Sequence, residues 1–260
     1  MEILDIALVA GIGFGGAACL MCGYLIYKLR QVHRTLYATD FVARTVSRSV
    51  TQNLQNLELL RHELQLERPL PTMRHWAASP DVLLTITRHI RQATPAVIVE
   101  CGSGASSVVL AQAARLNGTG HVYSVDHDGA FAQQSRELLA SYGLADWATV
   151  VHAPLREIEI HGLTWEWYDP DRLPQTPPID LLFVDGPPAD QPKPLARYPA
   201  GPILFPRLSP RGVVFADDTD RPGELEILRR WAREFPALSQ HAHFAEKGCH
   251  ELRSVALQPG

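Results

Sequence analysis

Acidic side chains stand directly after the apolar runs that we interpret as buried strands. Short β-branched apolar runs of this kind are typical of parallel strands that are covered on both faces. The acids are Glu100, Asp126, Asp185 and the pair Asp217 and Asp218, which follow the runs 96–99, 121–125, 179–184 and 212–216. Because ligands of open parallel sheets bind beyond the carboxyl ends of the strands, we expect these carboxylates to lie at one edge of a sheet.

The sequence after Glu100 predicts a binding loop for a nucleotide-like cofactor. Gly102 and Gly104 form a turn too tight for side chains, and a helix is predicted from Ser106. A strand, a glycine turn and a helix N-terminus together suit the polar part of such a cofactor. Asp126 could accept hydrogen bonds from both hydroxyls of a ribose. A carboxylate at Glu100 would crowd a pyrophosphate, but it suits a cationic cofactor that carries an amino acid.

The acids after the later strands point to a cation. Asp185, Asp217 and Asp218 are predicted on adjacent strand ends, where like charges repel unless something positive joins them. A divalent ion with oxygen ligands, most plausibly magnesium, would do so. The alternative is that Asp185 and Asp217 orient loops and contact the cofactor without a metal.

The remaining elements predict an α/β fold. Strands that alternate with helices predict a mostly parallel sheet, and two final strands suit an antiparallel hairpin at its edge. The predicted elements are helices at 80–92 and 224–235, a strand at 149–152, a hairpin at 158–168, and weaker strands near 241–244 and 251–257.

The N-terminus predicts a membrane anchor, residues 1–27. Residues 6–27 carry no charge and are long enough to span a bilayer core of about 30 Å. Lys28, Arg30 and Arg34 follow this segment. By the positive-inside rule we expect a single pass through the inner (plasma) membrane, with the rest of the chain in the cytoplasm.

Residues 28–67 predict a long helix with a seven-residue repeat. Apolar residues dominate two of its positions, with Asn53 as a polar exception. Such a repeat favours a coiled coil and a homo-oligomer, in which Asn53 would fix the register. The alternative is an amphipathic helix folded back on the catalytic domain, 68–260, since that would need the same apolar face.

Composition excludes several classes of protein. The 260 residues are 46% hydrophobic and 20% charged, which is typical of a globular chain. A net charge of -4 gives no electrostatic reason to expect nucleic-acid binding. Four cysteines are too few and too scattered for a disulfide framework, and Cys19 and Cys22 fit an apolar membrane segment better than a redox or metal site.

An acid followed by Gly-x-Gly, with Asp126 after the next strand, resembles the class I S-adenosylmethionine-dependent methyltransferases. The resemblance covers roughly residues 76–257. It implies a Rossmann-like methyltransferase sheet, mostly parallel with the last strand antiparallel, and S-adenosylmethionine as cofactor. The cofactor contacts that we expect are Glu100, Gly102, Ser103, Gly104, Asp126, His127, His152, Ala153 and Asp185.

The later acids resemble those of the metal-dependent O-methyltransferases, among them the catechol and macrocin-type sugar enzymes. The resemblance implies Asp185, Asp217 and Asp218 as ligands of Mg²⁺. Those enzymes place a basic residue three positions after the first ligand, where this chain has Pro188. A base would therefore come from elsewhere, and the alternatives are His152, His161 and Lys193.

We therefore expect a membrane-anchored O-methyltransferase of a small hydroxylated molecule, such as a sugar or glycan precursor, with Asp185 and His152 as catalytic residues. Two alternatives stay open, a metal-independent methyltransferase of another acceptor and a non-catalytic scaffold that binds the cofactor. Between the fourth and fifth strands lies a proline-rich segment, 186–206, which would frame the substrate mouth. Its Lys193, Arg197 and Tyr198 are expected to contact substrate or to form a solvated rim.

Overall fold

A seven-stranded sheet carries the chemistry-bearing residues of the chain. The computed structural model describes residues 2–70, 77–189, 193 and 195–254, without the side chains of 2–20 and 38–49. The strands are β1 (Val97–Cys101), β2 (His121–Asp126), β3 (Ala148–His152), β4 (Leu155–Ile160), β5 (Leu163–Tyr168), β6 (Ile179–Val184), β7 (Leu208–Asp217), β8 (Leu238–His243) and β9 (Cys249–Ser254). The helices are α1 (Glu2–Glu63), α2 (Pro80–Ala93), α3 (Ala105–Asn117), α4 (Gly129–Ser141), α5 (Ala200–Leu204) and α6 (Pro222–Glu234).

The strand order of this sheet is β3-β2-β1-β6-β7-β9-β8. Neighbours from β3 to β7 are parallel, and β9 runs antiparallel to both β7 and β8. The mostly parallel sheet with an antiparallel edge is therefore confirmed. The chain moves outward from β1 in one direction and from β6 in the other, so a crevice opens where these two strands end.

Apolar cores cover both faces of the sheet. Side chains of successive strand residues point to opposite faces, and Ile98 accordingly lies in one core while Val97 and Val99 lie in the other. The core beside Ile98 includes α2 and α3. The opposite core contains Trp167 of the β4–β5 hairpin, which was predicted at 158–168 and forms a two-stranded sheet of its own.

The end of α1 packs on this sheet domain. The chain divides into two compact units, Met1–Gln52 and Asn53–Gly260. Leu60 and Leu64 are 0% exposed and belong to the core that contains α2 and α3. The Gln112 side-chain amide also donates to the Leu64 carbonyl oxygen at 2.7 Å.

This packing corrects part of the coiled-coil prediction. The predicted register residue Asn53 donates through Nδ2 to Glu246 of its own domain at 2.7 Å, and the heptad residues Leu60 and Leu64 are covered by that domain. The prediction that residues 53–64 take part in self-association is therefore wrong. The compact unit that contains the sheet begins at Asn53 rather than after residue 67. For residues 28–52 the coiled coil stays a prediction, and its heptad positions Thr39, Ala43 and Val46 have side chains outside the described residues.

The predicted membrane segment falls at the start of α1. Among the described residues, no helix combines the length and the hydropathy that a membrane span requires. The side chains of residues 6–20, most of the predicted segment, lie outside the described set.

Candidate active site

The loop after β1 has a backbone that favours glycine. Gly102 has a φ of +118° and Gly104 a φ of +121°, angles that residues with a Cβ rarely adopt. The Gly102 amide donates to the Val125 carbonyl oxygen at 2.8 Å, which ties the loop to β2. α3 begins at Ala105, so its N-terminus lies just beyond the strand end, as a cofactor loop requires.

Asp126 is joined to this loop by hydrogen bonds. Its Oδ2 accepts from the Ser103 hydroxyl at 2.5 Å, and its Oδ1 accepts from the Asp128 amide at 3.0 Å. Burial alone would raise the pKa of Asp126, but hydrogen bonds from His127, Ser103 and Asp128 outweigh burial and hold that pKa below the usual 3.8. Asp126 is therefore ionised at neutral pH, in the state that accepts hydrogen bonds from ribose hydroxyls.

Glu100 lies beneath the loop. Its side chain is 0% exposed, and its Oε2 accepts hydrogen bonds from Ser107 at 2.7 Å and Ser124 at 2.6 Å. Burial raises the pKa of Glu100, although these hydroxyls oppose the shift. Its Oε1 is buried and has no hydrogen-bond partner among the described residues. The contacts of Glu100 hold β1, β2 and α3 together, and its predicted contact with the cofactor stays a prediction.

His152, His127 and Ala153 lie on the β2–β3 side of the crevice. His152 pairs with Asp126 across the strands, and a Cβ on Gly129 would come within 3.2 Å of the His152 ring. This position suits the expected cofactor contact. Sheet order places β3 three strands from β6, about 14 Å at the usual spacing of about 4.8 Å. The structure therefore does not support a role for His152 in proton transfer together with Asp185.

The acids after β6 and β7 do come together. Carboxylate oxygens of Asp185, Asp217 and Asp218 lie within 4.8 Å of one another. A fourth buried acid, Glu224 in the first turn of α6, lies beside them at 4% exposure. We call Asp185, Asp217, Asp218 and Glu224 the acid cluster. Asp217 and Asp218 are almost fully buried, whereas the Asp185 side chain is 9% exposed.

A guanidinium lies inside the acid cluster. Arg197 is 3% exposed, and its Nη2 lies 2.9 Å from Asp218 Oδ2 and 3.2 Å from Asp185 Oδ1. Its Nη1 donates to the Asp217 carbonyl oxygen at 3.3 Å, and its Nε lies 3.7 Å from Glu224 Oε1. The expectation that Arg197 contacts substrate or forms a solvated rim is therefore wrong, because its charge is taken up by these buried acids.

Other residues of the predicted substrate mouth also have partners within the protein. Lys193 pairs with Glu166 on β5, and the Tyr198 hydroxyl donates to Glu234 at 2.7 Å. Tyr198 stacks on Trp165 with ring centroids 4.4 Å apart. The β4–β5 hairpin is thus fastened to the segment that carries Arg197.

The acid cluster shifts the proton equilibria of its members. Burial and then the charge of Asp217 raise the pKa of Asp185 well above 3.8, although Arg197 opposes the shift. Burial and then Asp218 raise the pKa of Asp217 to about 6. Burial raises the pKa of Glu224 to about 7, again against Arg197. Acids with pKa values near neutrality are suited to proton transfer at physiological pH.

We expect Glu224→Gln to stabilise the protein at pH 8 and to change its stability little at pH 4. Because the pKa of Glu224 is raised in the folded state, folding favours its protonated form. The cost of ionisation grows as the pH rises from about 4.5 to about 7 and is constant above that range. The difference between these pKa values corresponds to roughly 1–3 kcal/mol at pH 8.

Urea unfolding at pH 4, 6 and 8 measures this effect. Glu226→Gln is the matched control, because Glu226 lies on the same helix and pairs with Arg230 near the surface. The control should show no gain at pH 8. Equal destabilisation of Glu224→Gln at every pH would mean that Arg197 needs the charge of Glu224 for folding.

For Tyr168, the last residue of β5, the sequence leaves open core packing, the favoured use, and stacking on a flat or sugar face of a substrate. Tyr168 is 1% exposed and packs in the core with Trp167, but its hydroxyl also lies so close to Gly186 that no side chain would fit there. A Cβ added to Gly186 would also lie 3.1 Å from the Cys101 carbonyl oxygen. Burial raises the pKa of Tyr168 well above 10, so its hydroxyl keeps its proton. Tyr168 thus brings a neutral hydroxyl to the crevice between β1 and β6.

The acid cluster matches a magnesium site in chemistry and spacing, but not in its surroundings. Carboxylate oxygens are the ligands that Mg²⁺ prefers. However, Arg197 already lies at hydrogen-bond distance from two of the three predicted ligands. Both carboxylate oxygens of Asp217 and Oδ1 of Asp218 are closed to solvent and have no hydrogen-bond partner among the described residues, so Arg197 leaves them unsatisfied. An ion that activates a substrate hydroxyl needs a coordination position open to that substrate, so these residues as placed do not fit one.

Comparison with known proteins agrees with the fold described above. Residues 99–219, from β1 to just after β7, match the family model of a methyltransferase domain. No curated protein matches the chain. The S-adenosylhomocysteine-bound methyltransferase PaMTH1 of Podospora anserina is a similar solved structure, with a TM-score of 0.52 and 15% identity over 82% of this chain and 95% of that one. A methyltransferase from Geobacter sulfurreducens has a TM-score of 0.51 and 14% identity, over 78% of this chain and 89% of that one. These likenesses show the same fold.

Proposed function

We propose that this chain is a class I S-adenosylmethionine-dependent methyltransferase that methylates a hydroxyl oxygen of a small molecule, a proposal supported by the methyltransferase-domain match and the shared fold. The observation that carries the proposal is the position of Asp185. Its amide donates to the Cys101 carbonyl oxygen at 3.1 Å, and its own carbonyl oxygen is 3.8 Å from where a Cβ on Gly102 would lie. Asp185 therefore joins the cofactor loop to the acid cluster.

The residues divide the work of methyl transfer. The cofactor supplies an electrophilic methyl group on a sulfonium. Ionised Asp126 holds the ribose hydroxyls, while the Gly102–Gly104 turn lets the backbone approach closely. Bound cofactor would supply the methyl group and leave as the neutral thioether, and Asp185 would accept the proton of the substrate hydroxyl that takes up the methyl group. Positioning of the two reactants supplies most of the remaining rate enhancement.

A second candidate function is methylation of an amine. The acid cluster has four carboxyl groups, and the guanidinium groups that pair with it are those of Arg197 and Arg221. A negative surplus at the substrate end of the crevice would attract an ammonium group before it loses its proton. A glycan precursor, by contrast, would donate neutral hydroxyl groups to the same acids.

A transfer assay with labelled methyl groups tests the proposal. The full chain is given S-adenosylmethionine with a panel of catechols, sugars and primary amines, each with and without EDTA. We expect transfer to a hydroxyl acceptor, and a loss of at least 100-fold in Asp185→Asn. Asp171→Asn is the matched control, because the side chain of Asp171 is 80% exposed. Transfer to amines alone would establish the second candidate, and cofactor binding without any transfer would support a non-catalytic scaffold.

Membrane anchoring is a further part of the proposal. It is supported by the uncharged residues 6–27, by Lys28 and Arg30 after them, and by exposed apolar side chains such as Met21 and Leu25 at 66% and 55%. We also propose that the remaining heptads, in residues 28–52, mediate self-association of the chain. Fractionation of cells that produce the full chain or residues 53–260 tests the anchor, and light scattering of residues 28–260 tests the association. A full chain found only in the soluble fraction would contradict the anchor.

A further inference from the structure

We propose that Arg197 supplies the positive charge of the acid cluster in place of a divalent ion, so that methyl transfer in this protein is independent of metal. The guanidinium lies at hydrogen-bond distance from the carboxylates of Asp185 and Asp218 and donates to the backbone carbonyl oxygen of Asp217. Glu224 is farther away, with its Oε1 3.7 Å from Arg197 Nε. These acids come from the ends of β6 and β7 and from the start of α6.

The geometry of Arg197 is suited to this task. A guanidinium has five N–H donors in a rigid plane, and it is more weakly hydrated than an ammonium group. The Nη2 of Arg197 lies between the carboxylates of Asp185 and Asp218, whose side chains are 9% and 5% exposed. Its Nε also lies 3.4 Å from the Pro187 carbonyl oxygen, directly after Asp185-Gly186. Arg197 therefore fixes both the carboxylate of Asp185 and the backbone that follows it.

Charge repulsion also acts against an ion at this position. A divalent cation bound to Asp185, Asp217 and Asp218 would lie next to the guanidinium in a buried site, where screening by solvent is weak. The protein would have to release Arg197 from two buried ion pairs to admit the metal. With Arg197 in place, the acid that remains open for the substrate is Asp185.

Arg197 is thus a positioning residue that acts through Asp185. This role rests on the proposed function, whereas its effect on metal binding does not. If Arg197 takes the place of an ion, its removal should leave an empty acidic site with affinity for metals. A metal titration therefore tests the inference even if the methyl acceptor is never found.

The experiment is a titration of the full chain with Mn²⁺, followed by calorimetry and by the loss of the free-ion EPR signal. We expect no saturable site in the wild type at millimolar Mn²⁺. Arg197→Met should bind one ion at least 10-fold more tightly than the wild type, and adding Asp217→Asn should abolish the gain. Arg197→Lys keeps the charge and should gain no site. Arg229→Met is the matched control, since Arg229 is exposed on α6 and pairs with Glu226.

The wild type alone can decide the question if Arg197→Met does not fold. A stoichiometric Mn²⁺ site in the wild-type chain that Asp217→Asn removes would overturn the inference. Loss of methyl transfer in EDTA with recovery on adding Mg²⁺ would overturn it too. Transfer that is unchanged in EDTA, with cofactor binding intact, would support it. Failure of all acceptors would count against the proposed function and leave the metal result standing.

Discussion

A fragment of residues 69–260 should be far less stable than a fragment of residues 53–260. The shorter fragment lacks Leu60 and Leu64, which are 0% exposed in the core of the sheet domain. Truncating one buried leucine to alanine typically costs about 2–5 kcal/mol, so losing both should cost at least about 4 kcal/mol. That is a large share of the roughly 5–15 kcal/mol that stabilises an ordinary domain.

Urea unfolding followed by circular dichroism compares the two fragments. In the full chain, Leu60→Ala with Leu64→Ala should reproduce most of the loss. Leu54→Ala with Leu59→Ala is the matched control, because these side chains on the same helix are 62% and 47% exposed. If residues 69–260 were as stable as residues 53–260, α1 would contribute nothing to the domain and its heptads would again be free to pair with another copy.

Gly104→Val should abolish cofactor binding, with affinity reduced at least about 100-fold. The φ of +121° at Gly104 is strained for any residue with a Cβ, and most of all for a β-branched one. The loop would have to change its backbone, and with it the N-terminus of α3 and the contact between Ser103 and Asp126. Calorimetric titration with S-adenosylhomocysteine measures the loss.

Gly118→Val separates binding from stability in this test. Gly118 also has a positive φ, +69°, but it lies at the far end of α3 with nothing within 4 Å of its added Cβ. We expect this control to lose stability while it keeps its affinity for the cofactor. A folded Gly104→Val variant with wild-type affinity would remove the loop from the cofactor site.

The position of the site could be predicted because a short stretch of sequence marks each of its parts. Apolar runs mark the buried strands, an acid follows each run, and parallel strands bring their carboxyl ends to the same edge. Asp185, Asp217 and Asp218 therefore came together as expected. Ser103 and Asp126 were each expected to contact the cofactor, and the structure joins them by a hydrogen bond. Neither expectation needed more than the order of strands and the glycines between them.

Arg197 and Glu224 could not be assigned from sequence for a physical reason. An arginine in a proline-rich segment is usually solvated, and acids are common in the first turn of a helix because they complement its dipole. Arg197 pairs with Asp185 and Asp218 and lies near Glu224, and all three acids lie on other elements of the chain. Only the folded chain shows that these charges are buried together.

The packing of the end of α1 could not be predicted from the sequence for a different reason. Over a few turns, the spacing of Asn53, Leu57, Leu60 and Leu64 fits both a coiled-coil seam and one apolar face of an ordinary helix. The apolar residues indicate that this helix face must be buried, but they do not indicate which part of the protein buries it. In the structure the cover is the core that contains α2 and α3.

Titration of the full chain with S-adenosylhomocysteine and S-adenosylmethionine tests the central claim most directly. We predict saturable binding of both at one competitive site. Asp126→Ala should weaken that binding by about 1–3 kcal/mol, or about 5- to 150-fold, through the lost charged hydrogen bonds to ribose. A folded chain that binds neither compound, or that binds them as well without the Asp126 carboxylate, would contradict the account.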